Sequence, residues 1–501
     1  MKRALPLMII LFLIAAPENA LHSQKNIELT LDSAIEIAIS NSYQVRQLQL
    51  SIERTREWLK AERAELRSRV YMTLEAPEFE AISDYKWNST IQRNEIVREN
   101  TRLWQMNFSV EQPVILFGYP TNGYLSLNNR MYRYNQRNGG DDINYYNRYY
   151  IEYEQPLFQP NRLKNDIEEA EIDLEKEEIE FVEDLVDMLE DLSEDYYELL
   201  GLTFEREKFN DQIILLEQSR QIAAEIVAGD SSRIIELNQI EIELANAEER
   251  FSDIQSGIRI ETSEMKQDLR LAEADSVFIV PNIIIDTIEV SREDALQKAL
   301  TLHPSIRDNE LSRREEEIEL ENTIGNDAFH IDLEMTYGLE KSDPNYRNLW
   351  ESQNNSYTVS VRAFVPIWDW GERKAEIQAR KITLKKRDLY IEEERREIES
   401  EVQTDIINLR EFQARAVRMQ KNLQKAREIS NVSLQQYSSE LIGLQELFQN
   451  FERQEETADN LFDAYLGYRF ALLSLLEDTY YDFERNVPLV QRFPLANFSE
   501  N

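Results

Sequence analysis

The chain has 501 residues and no cysteine, and its acidic side chains outnumber the basic ones by 39. Without cysteine, no disulfide framework, thiolate metal site or lipid-modified cysteine can form. The negative charge disfavours nucleic acid and anionic lipid surfaces as partners.

Residues 1–23 predict a secretory signal peptide. Met1-Lys2-Arg3 precedes an apolar run from Ala4 to Ala16, which is too short to span a bilayer, and cleavage is plausible after Ala20 or Ser23. No other window offers about twenty consecutive apolar residues. If the chain enters a membrane, it must therefore do so as a closed β-barrel.

A helix is predicted from Thr30 to about Arg67, followed by a β segment over residues 69–157. Trp104, Met106, Phe108 and Val110 alternate with polar residues in this segment. Four strands are predicted, with a turn at Asn138-Gly139-Gly140-Asp141: Val70–Ala76, Trp104–Glu111, Gly123–Asn135 and Tyr145–Gln155. The pattern leaves open whether the strands over 104–135 belong to a barrel with the others or lie over it.

Two long proline-free spans predict helical hairpins over residues 161–272 and 369–482. Asn161 is a suitable cap for the first span, and Asp369 with Glu372 for the second. The first span should break near Gly229 and the second near Ser438.

Between these spans we predict a linker over residues 273–290, a helix over 291–325 and a β-hairpin over 329–366. One face of the hairpin would be apolar and the other polar, which is typical of a membrane strand pair, although a sheet covering a soluble core remains an alternative. The apolar residues are Phe329, Ile331, Leu333, Met335, Tyr337, Tyr357, Val359, Val361 and Val365. Residues 483–501 predict an irregular tail.

An internal repeat relates the two halves. Gln155-Pro156-Leu157-Phe158 recurs 210 positions later as Val365-Pro366-Ile367-Trp368, and each copy precedes a long helical span. The repeats are predicted to cover residues 24–272 and 291–482. The first repeat carries about 51 additional residues between its opening helix and its Gln-Pro motif, as judged from the spacing of a second matching pair.

These features together resemble the TolC family of outer-membrane efflux and secretion ducts. The most specific local piece is Tyr437 to Leu447, which is similar to the family's turn at the inner tip of the helical barrel. The resemblance implies a mainly α fold with a membrane β-barrel, in which long antiparallel hairpins form an α-barrel and the protein is a homotrimer. It implies a location in the outer membrane of a Gram-negative bacterium, extending into the periplasm. It also implies four strands from each protomer, or six if the additional strands take part.

The same resemblance implies the function: the channel of a tripartite efflux pump or type I secretion system, a passive export duct powered by an inner-membrane pump through a periplasmic adaptor. Gate residues would be Glu446 and Gln449, although Glu446 can equally be a solvated helix residue. A glycine is usual in the family where Glu440 stands. The adaptor would contact two tips, formed by Gly229, Asp230, Ser231 and Ser232 and by Ser438, Ser439 and Glu440.

Nothing in the sequence predicts an enzyme or a cofactor. His22, His303 and His330 are scattered, so a metal site is not expected. The alternative function is a structural periplasmic coiled-coil protein without a pore. The sequence does not name the cargo.

Overall fold

The computed structural model describes residues 26–492 apart from 89, 91 and 138–140. The predicted signal peptide and most of the predicted turn at 138–141 therefore lie outside the described residues. The chain divides into two compact units. Unit 1 comprises residues 1–45, 187–287 and 408–473, and unit 2 comprises 46–186, 288–407 and 474–501. Each unit draws residues from both predicted repeats.

Helices dominate the described part of the chain. They are α1 (Leu31–Asn41), α2 (Tyr43–Glu65), α3 (Arg162–Gly229), α4 (Ile234–Asp268), α5 (Arg292–Leu302), α6 (Pro304–Gly325), α7 (Glu372–Ser438), α8 (Leu444–Thr479) and α9 (Leu489–Arg492). The strands are β1 (Asn26–Glu28), β2 (Arg69–Asn88), β3 (Arg93–Leu116), β4 (Tyr119–Arg137), β5 (Asp141–Leu157), β6 (Ser276–Phe278), β7 (His330–Asp343), β8 (Asn354–Phe364), β9 (Tyr481–Asp482) and β10 (Val487–Pro488).

The two proline-free spans form long helices, as predicted. Helices α3 and α7 have 68 and 67 residues, and each is followed by a shorter helix, α4 or α8. Asn161 caps α3, because its side-chain oxygen accepts a hydrogen bond from the Lys164 backbone N–H at 3.2 Å. Within the described residues, no helix combines the length and the apolar character needed to cross a membrane.

The single helices predicted over 30–67 and 291–325 are each broken once, so these two predictions are wrong in detail. Ser42 has an extended backbone, and its hydroxyl accepts a hydrogen bond from the Gln44 backbone N–H at 3.1 Å. His303 is also extended, because a residue followed by proline avoids the helical region, and Pro304 begins α6. Short polar and pre-proline signals therefore prevailed over the apolar periodicity.

The segments predicted to be irregular contain short strands and a helix. In unit 1, β6 of the predicted linker pairs in parallel with β1. In unit 2, β9 and β10 pair with each other and α9 follows them. Arg492 of α9 donates a hydrogen bond at 2.9 Å to the buried carboxylate of Asp482, which holds this part of the tail. The prediction of an irregular tail is therefore wrong for residues 487–492.

All the longer strands belong to one antiparallel sheet within unit 2, in the order β2-β3-β4-β5-β7-β8. The strands predicted at 104–135 are therefore part of the same sheet as the others. Strands β2 and β3 continue well beyond the predicted limits of Ala76 and Trp104. The backbone ladder continues there although the side chains no longer alternate, because strand pairing depends on backbone groups.

Two helical glycines in unit 1 offer a matched test of packing. A Cβ atom at Gly467 in α8 would lie 2.3 Å from the Phe412 ring, whereas one at Gly257 in α4 would lie 3.5 Å from Leu202, an ordinary contact. We expect Gly467→Ala to lower the free energy of unfolding by about 1–3 kcal/mol through overpacking. Gly257→Ala should raise it by up to about 1 kcal/mol, because alanine favours helix. Chemical denaturation of the two purified variants distinguishes them, and equal effects would contradict the close approach.

Two carboxyl groups meet in unit 2, Asp405 of α7 and Asp478 of α8. Burial is the largest cause that raises both pKa values, and the contact with Asp405 helps raise the pKa of Asp478 to about 8. Since the folded state holds a proton that the unfolded chain releases near pH 4, this pair's contribution to stability is complete below pH 4 and is lost as the pH rises to about 8.

Replacing Asp478 by asparagine should therefore remove part of the pH dependence of stability. We expect the thermal midpoint of Asp478→Asn to rise relative to that of the wild type as the pH increases from 5 to about 9, because asparagine does not ionise. Asp463→Asn, at an exposed position of α8, is the matched control and should follow the wild type. Parallel curves for wild type and Asp478→Asn would contradict the shared proton.

Candidate functional site

At the end of the six-stranded sheet where β2 begins, one face is apolar and the other is polar. A row of mutually paired residues that crosses all six strands is entirely apolar or aromatic: Val70, Val110, Leu127, Ile151, Tyr337 and Tyr357. The adjacent row is entirely polar: Arg69, Glu111, Ser126, Glu152, Thr336 and Thr358. Because successive residues of a strand point to opposite sides, these rows lie on opposite faces. We call them the apolar face and the polar face.

The apolar face contains the predicted membrane-strand residues and leaves many of them exposed. Ile331, Leu333, Met335 and Tyr337 lie on β7, and Trp104, Met106, Phe108 and Val110 lie on β3. Val359 and Val361 of β8 are 67% and 65% exposed. Phe329 and Val365 fall one residue outside β7 and β8. An exposed apolar surface of this kind marks a site of contact with a membrane or another protein.

Hydrogen bonds join neighbouring strands on the polar face. The Tyr146 hydroxyl donates to a Glu340 carboxylate oxygen at 2.6 Å, linking β5 to β7. The Asn128 amide donates to Glu152 at 3.1 Å, linking β4 to β5. The Arg148 guanidinium lies 4.5 Å from the centre of the Tyr150 ring. Several polar groups of this face are therefore paired with side chains of a neighbouring strand or with an aromatic ring.

The tyrosines of β5 do not all lie on one face of the sheet. Tyr145, Tyr149 and Tyr153 lie on the apolar face, whereas Tyr146 and Tyr150 lie on the polar face. Strand periodicity places residues that are neighbours in the sequence on opposite faces of the sheet. A 3₁₀ turn between β7 and β8 covers part of the apolar face, where Trp350 lies 6.0 Å from Tyr149.

Two turns between long helices are the predicted adaptor-contacting tips, and both lie in unit 1. Helix α3 ends at Gly229, and the Asp230 side chain accepts a hydrogen bond from the Ser232 backbone N–H at 3.0 Å, which begins a 3₁₀ turn. Helix α7 ends at Ser438. Glu440 then has φ +56°, and the Leu441 N–H bonds the Gln436 carbonyl at 2.9 Å, the pattern of a Schellman motif.

The structure joins the two turns through residues that sequence reasoning missed. Arg233 lies 3.2 Å from the Glu440 carboxylate and 2.7 Å from Glu236. The Tyr437 hydroxyl donates to Glu236 at 3.0 Å, and the Arg233 and Tyr437 hydrogen bonds hold the pKa of Glu236 below its usual value. Burial is the main cause that raises the pKa of Tyr437 to about 12. We call Arg233, Glu236, Tyr437 and Glu440 the tip network.

The predicted gate residues lie in the first turns of α8. Glu446 and Gln449 are exposed and share one side of the helix, because residues three apart are neighbours on its surface. The opposite side is packed: Leu444, Leu447 and Phe451 are buried in one cluster with Ile240 of α4. Glu446 therefore stands on a fixed helix with its carboxylate in solvent.

The described histidines have local structural contacts. A His303 ring nitrogen accepts a hydrogen bond from the Ser305 N–H at the start of α6, and burial lowers the pKa of this imidazole. His330 stacks on Phe364 with 5.0 Å between ring centres. Among the described residues, no group of three or more histidine or acidic side chains has an arrangement that could hold a metal ion.

Comparison with solved structures identifies the fold. The chain is similar to the outer membrane protein VceC of Vibrio cholerae, with a TM-score of 0.62, 12% identity and coverage of 90% of this chain and 96% of VceC. It is also similar to the CmeC outer membrane channel of Campylobacter jejuni, with a TM-score of 0.62, 11% identity and coverage of 92% and 90%. For the outer-membrane channel OprN the TM-score is 0.64, with 12% identity and coverage of 90% and 89%.

No protein-family model matches the chain, and no curated protein matches its sequence. The identities to the solved channels are low, so these similarities establish the fold. The coarse fold that the resemblance predicted is confirmed: the chain is mainly helical with a sheet, and it is built like the outer-membrane channels of the TolC family.

The turn at Glu440 provides a test of the tip. A non-glycine residue in the left-handed region is strained, and the ion pair of Glu440 with Arg233 is solvent-exposed and weak. We expect Glu440→Gly to raise the free energy of unfolding by up to about 1 kcal/mol. Ser439→Gly is the control and should lower it, because the backbone of Ser439 has no positive φ and glycine there only adds freedom to the unfolded chain. Urea denaturation measures both, and a destabilised Glu440→Gly would show that the ion pair outweighs the strain.

Proposed function

We propose that the protein is the outer-membrane channel of a tripartite efflux pump or type I secretion system. Three copies would form a passive export duct in the outer membrane of a Gram-negative bacterium, extending into the periplasm. The observation that carries the proposal is the exposed apolar face of the six-stranded sheet, in a chain whose fold is that of outer-membrane channels.

The two faces of the sheet suit lipid on one side and water on the other. From Ile331 to Leu339 the apolar side chains of β7 alternate over nine residues, close to the length of a strand that crosses a bilayer at a tilt. Burying the exposed valines and aromatic residues in lipid is favourable at about 25 cal/mol per Å². The hydrogen-bonded polar face would line the water-filled passage.

Several copies are needed because the sheet, in the part of the chain that the structure describes, leaves both of its edges unpaired. In hydrocarbon each unpaired backbone group is costly, so the strands must close into a barrel with other copies. The helical hairpins α3–α4 and α7–α8 would form the α-barrel in the same trimer. Their similar lengths, together with the matching breaks before α2 and α6, support a duplicated chain with two structural repeats.

Transport would be powered from outside this protein. We propose that a periplasmic adaptor contacts the tips at Gly229 to Ser232 and Ser438 to Glu440, and that an inner-membrane pump delivers the cargo. The duct would be neither an enzyme nor a holder of a cofactor. Three copies of Glu446, with Gln449 one turn further along α8, would form an acidic ring that attracts cations and narrows the inner end.

Single-channel conductance in a planar bilayer tests this proposal. The purified protein should open small cation-selective channels, and Glu446→Ala should reduce the preference for cations and raise the conductance, because three negative charges leave the ring. Glu452→Ala, at an exposed glutamate on another side of α8, is the matched control and should behave as the wild type.

Each outcome has a separate meaning. Channels that are insensitive to Glu446→Ala would keep the duct and reject the gate. A folded sample that never inserts into the bilayer would reject the duct and favour the alternative, a structural periplasmic coiled-coil protein.

A further inference from the structure

Among the described residues, the sheet ends in two strands, each of which has no partner strand on its outer side. In the order β2-β3-β4-β5-β7-β8, the outer edges belong to β2, with 20 residues, and β8, with 11. Both edge strands expose apolar side chains beside the open edge: Val70, Met72 and Leu74 on β2 and Val359 and Val361 on β8. An edge that is apolar and unpaired is a template for another strand.

The directions of the two edges fit each other. All neighbouring pairs in the sheet are antiparallel, so β2 and β8 run in opposite directions after six strands. When β8 of one copy lies beside β2 of the next, the contact is again antiparallel. The same contact can therefore repeat around a ring without a change of pairing type.

The strand ends are staggered as closure of a barrel requires. The row that starts at Arg69, the first residue of β2, reaches Thr358 in β8, although β8 continues for six more residues to Phe364. Six residues advance about 20 Å along a strand, and the five steps from β2 to β8 cover about 24 Å across the sheet. The line that joins the strand ends is thus inclined by about 40° to the rows, within the strand tilt of membrane barrels.

We propose that β8 of one copy pairs with β2 of the next, so that all six strands of each copy enter one barrel. With the trimer of the proposed function, on which this inference rests, the barrel has eighteen strands. The resemblance implied four strands from each protomer, hence twelve. Since barrel diameter grows roughly in proportion to strand number, the bore is about one and a half times that of a twelve-stranded barrel.

A register follows if the strand ends are flush at the contact, with Arg69 of one copy opposite Phe364 of the next. Met72 then lies opposite Val361, and Leu74 opposite Val359. Tyr71 lies opposite Arg362 on the other face. Apart from the end pair Arg69 and Phe364, apolar residues meet apolar residues on one face and polar residues or tyrosine meet polar residues on the other, so both faces continue across the contact.

Cysteine cross-linking tests the contact directly, because the natural chain contains no cysteine that could react. The variant carries Met72→Cys and Val361→Cys in the full chain and is oxidised in membranes. Directly opposed residues of antiparallel strands are close enough for a disulfide. We expect covalent dimers and trimers on a non-reducing gel, with the trimer as the largest species.

The matched control carries Met106→Cys and Val361→Cys. Met106 lies on the apolar face of β3, but β2 and β4 occupy both of its sides, so it cannot face another copy. This control should stay monomeric. Each single-cysteine variant should also stay monomeric at the protein concentration used in the membranes and should form dimers only above that concentration. A second double variant carries Met72→Cys and Ala363→Cys. Its cysteine on β8 lies two residues away from the position opposite Met72, so this variant should cross-link less.

The failures are distinguishable. Cross-linked species larger than a trimer would overturn the count of eighteen, and a monomer linked within itself would overturn pairing between copies. If the double variant conducts in a bilayer but gives no cross-linked species, this inference fails while the duct stands. If it neither conducts nor cross-links, and the wild type also fails to conduct, the proposed function fails with it.

Exclusion of polyethylene glycols from the wild-type channel gives an independent measure of the bore.

Discussion

The pairing of backbone groups in the sheet of unit 2 is the constraint on which the apolar face and the polar face depend. The register of five strand pairs places every row of the apolar face in line, and a slip of one residue in any pair would carry its apolar side chains to the polar face. The register is irregular at two places in the described sheet, between Glu75 and Glu78 and between Pro113 and Ile115. Each irregularity includes a proline, Pro77 or Pro113, which cannot donate to the ladder, so the interruption falls where a hydrogen bond would be missing anyway.

In the helices of unit 2, ion pairs and buried apolar side chains contribute differently to packing. Arg307 pairs with Glu175 at 2.6 Å and Arg314 with Glu168 at 2.7 Å, but these groups are largely or partly exposed. Exposed pairs of this kind contribute up to about 1 kcal/mol each. The specific packing comes from buried side chains such as Ile318, which contacts a cluster on α3. The large acidic excess therefore keeps long helices solvated, and the apolar stripes determine how they pack.

The tip network shows how a long helix can end without the usual glycine. Glu440 adopts the left-handed backbone that glycine adopts easily, and its carboxylate is held by Arg233 from the other turn. Gly229, in contrast, has no positive φ and meets no neighbouring atom where a Cβ would stand. The residue at position 440 in one turn is thus linked by an ion pair to Arg233 in the other turn.

The sequence by itself determined the long helical spans and the β segments, because proline spacing and the two hydrophobic periods are local signals. The alternation from Ile331 to Leu339 and from Trp104 to Val110 was sufficient to assign both faces of those strands. Only the tertiary structure decided that all six strands share one sheet, that β2 and β3 extend beyond the alternating region, and that Arg233 reaches Glu440. Backbone hydrogen bonds and contacts between residues two hundred positions apart carry no periodic signal, so local patterns along the chain could not reveal them.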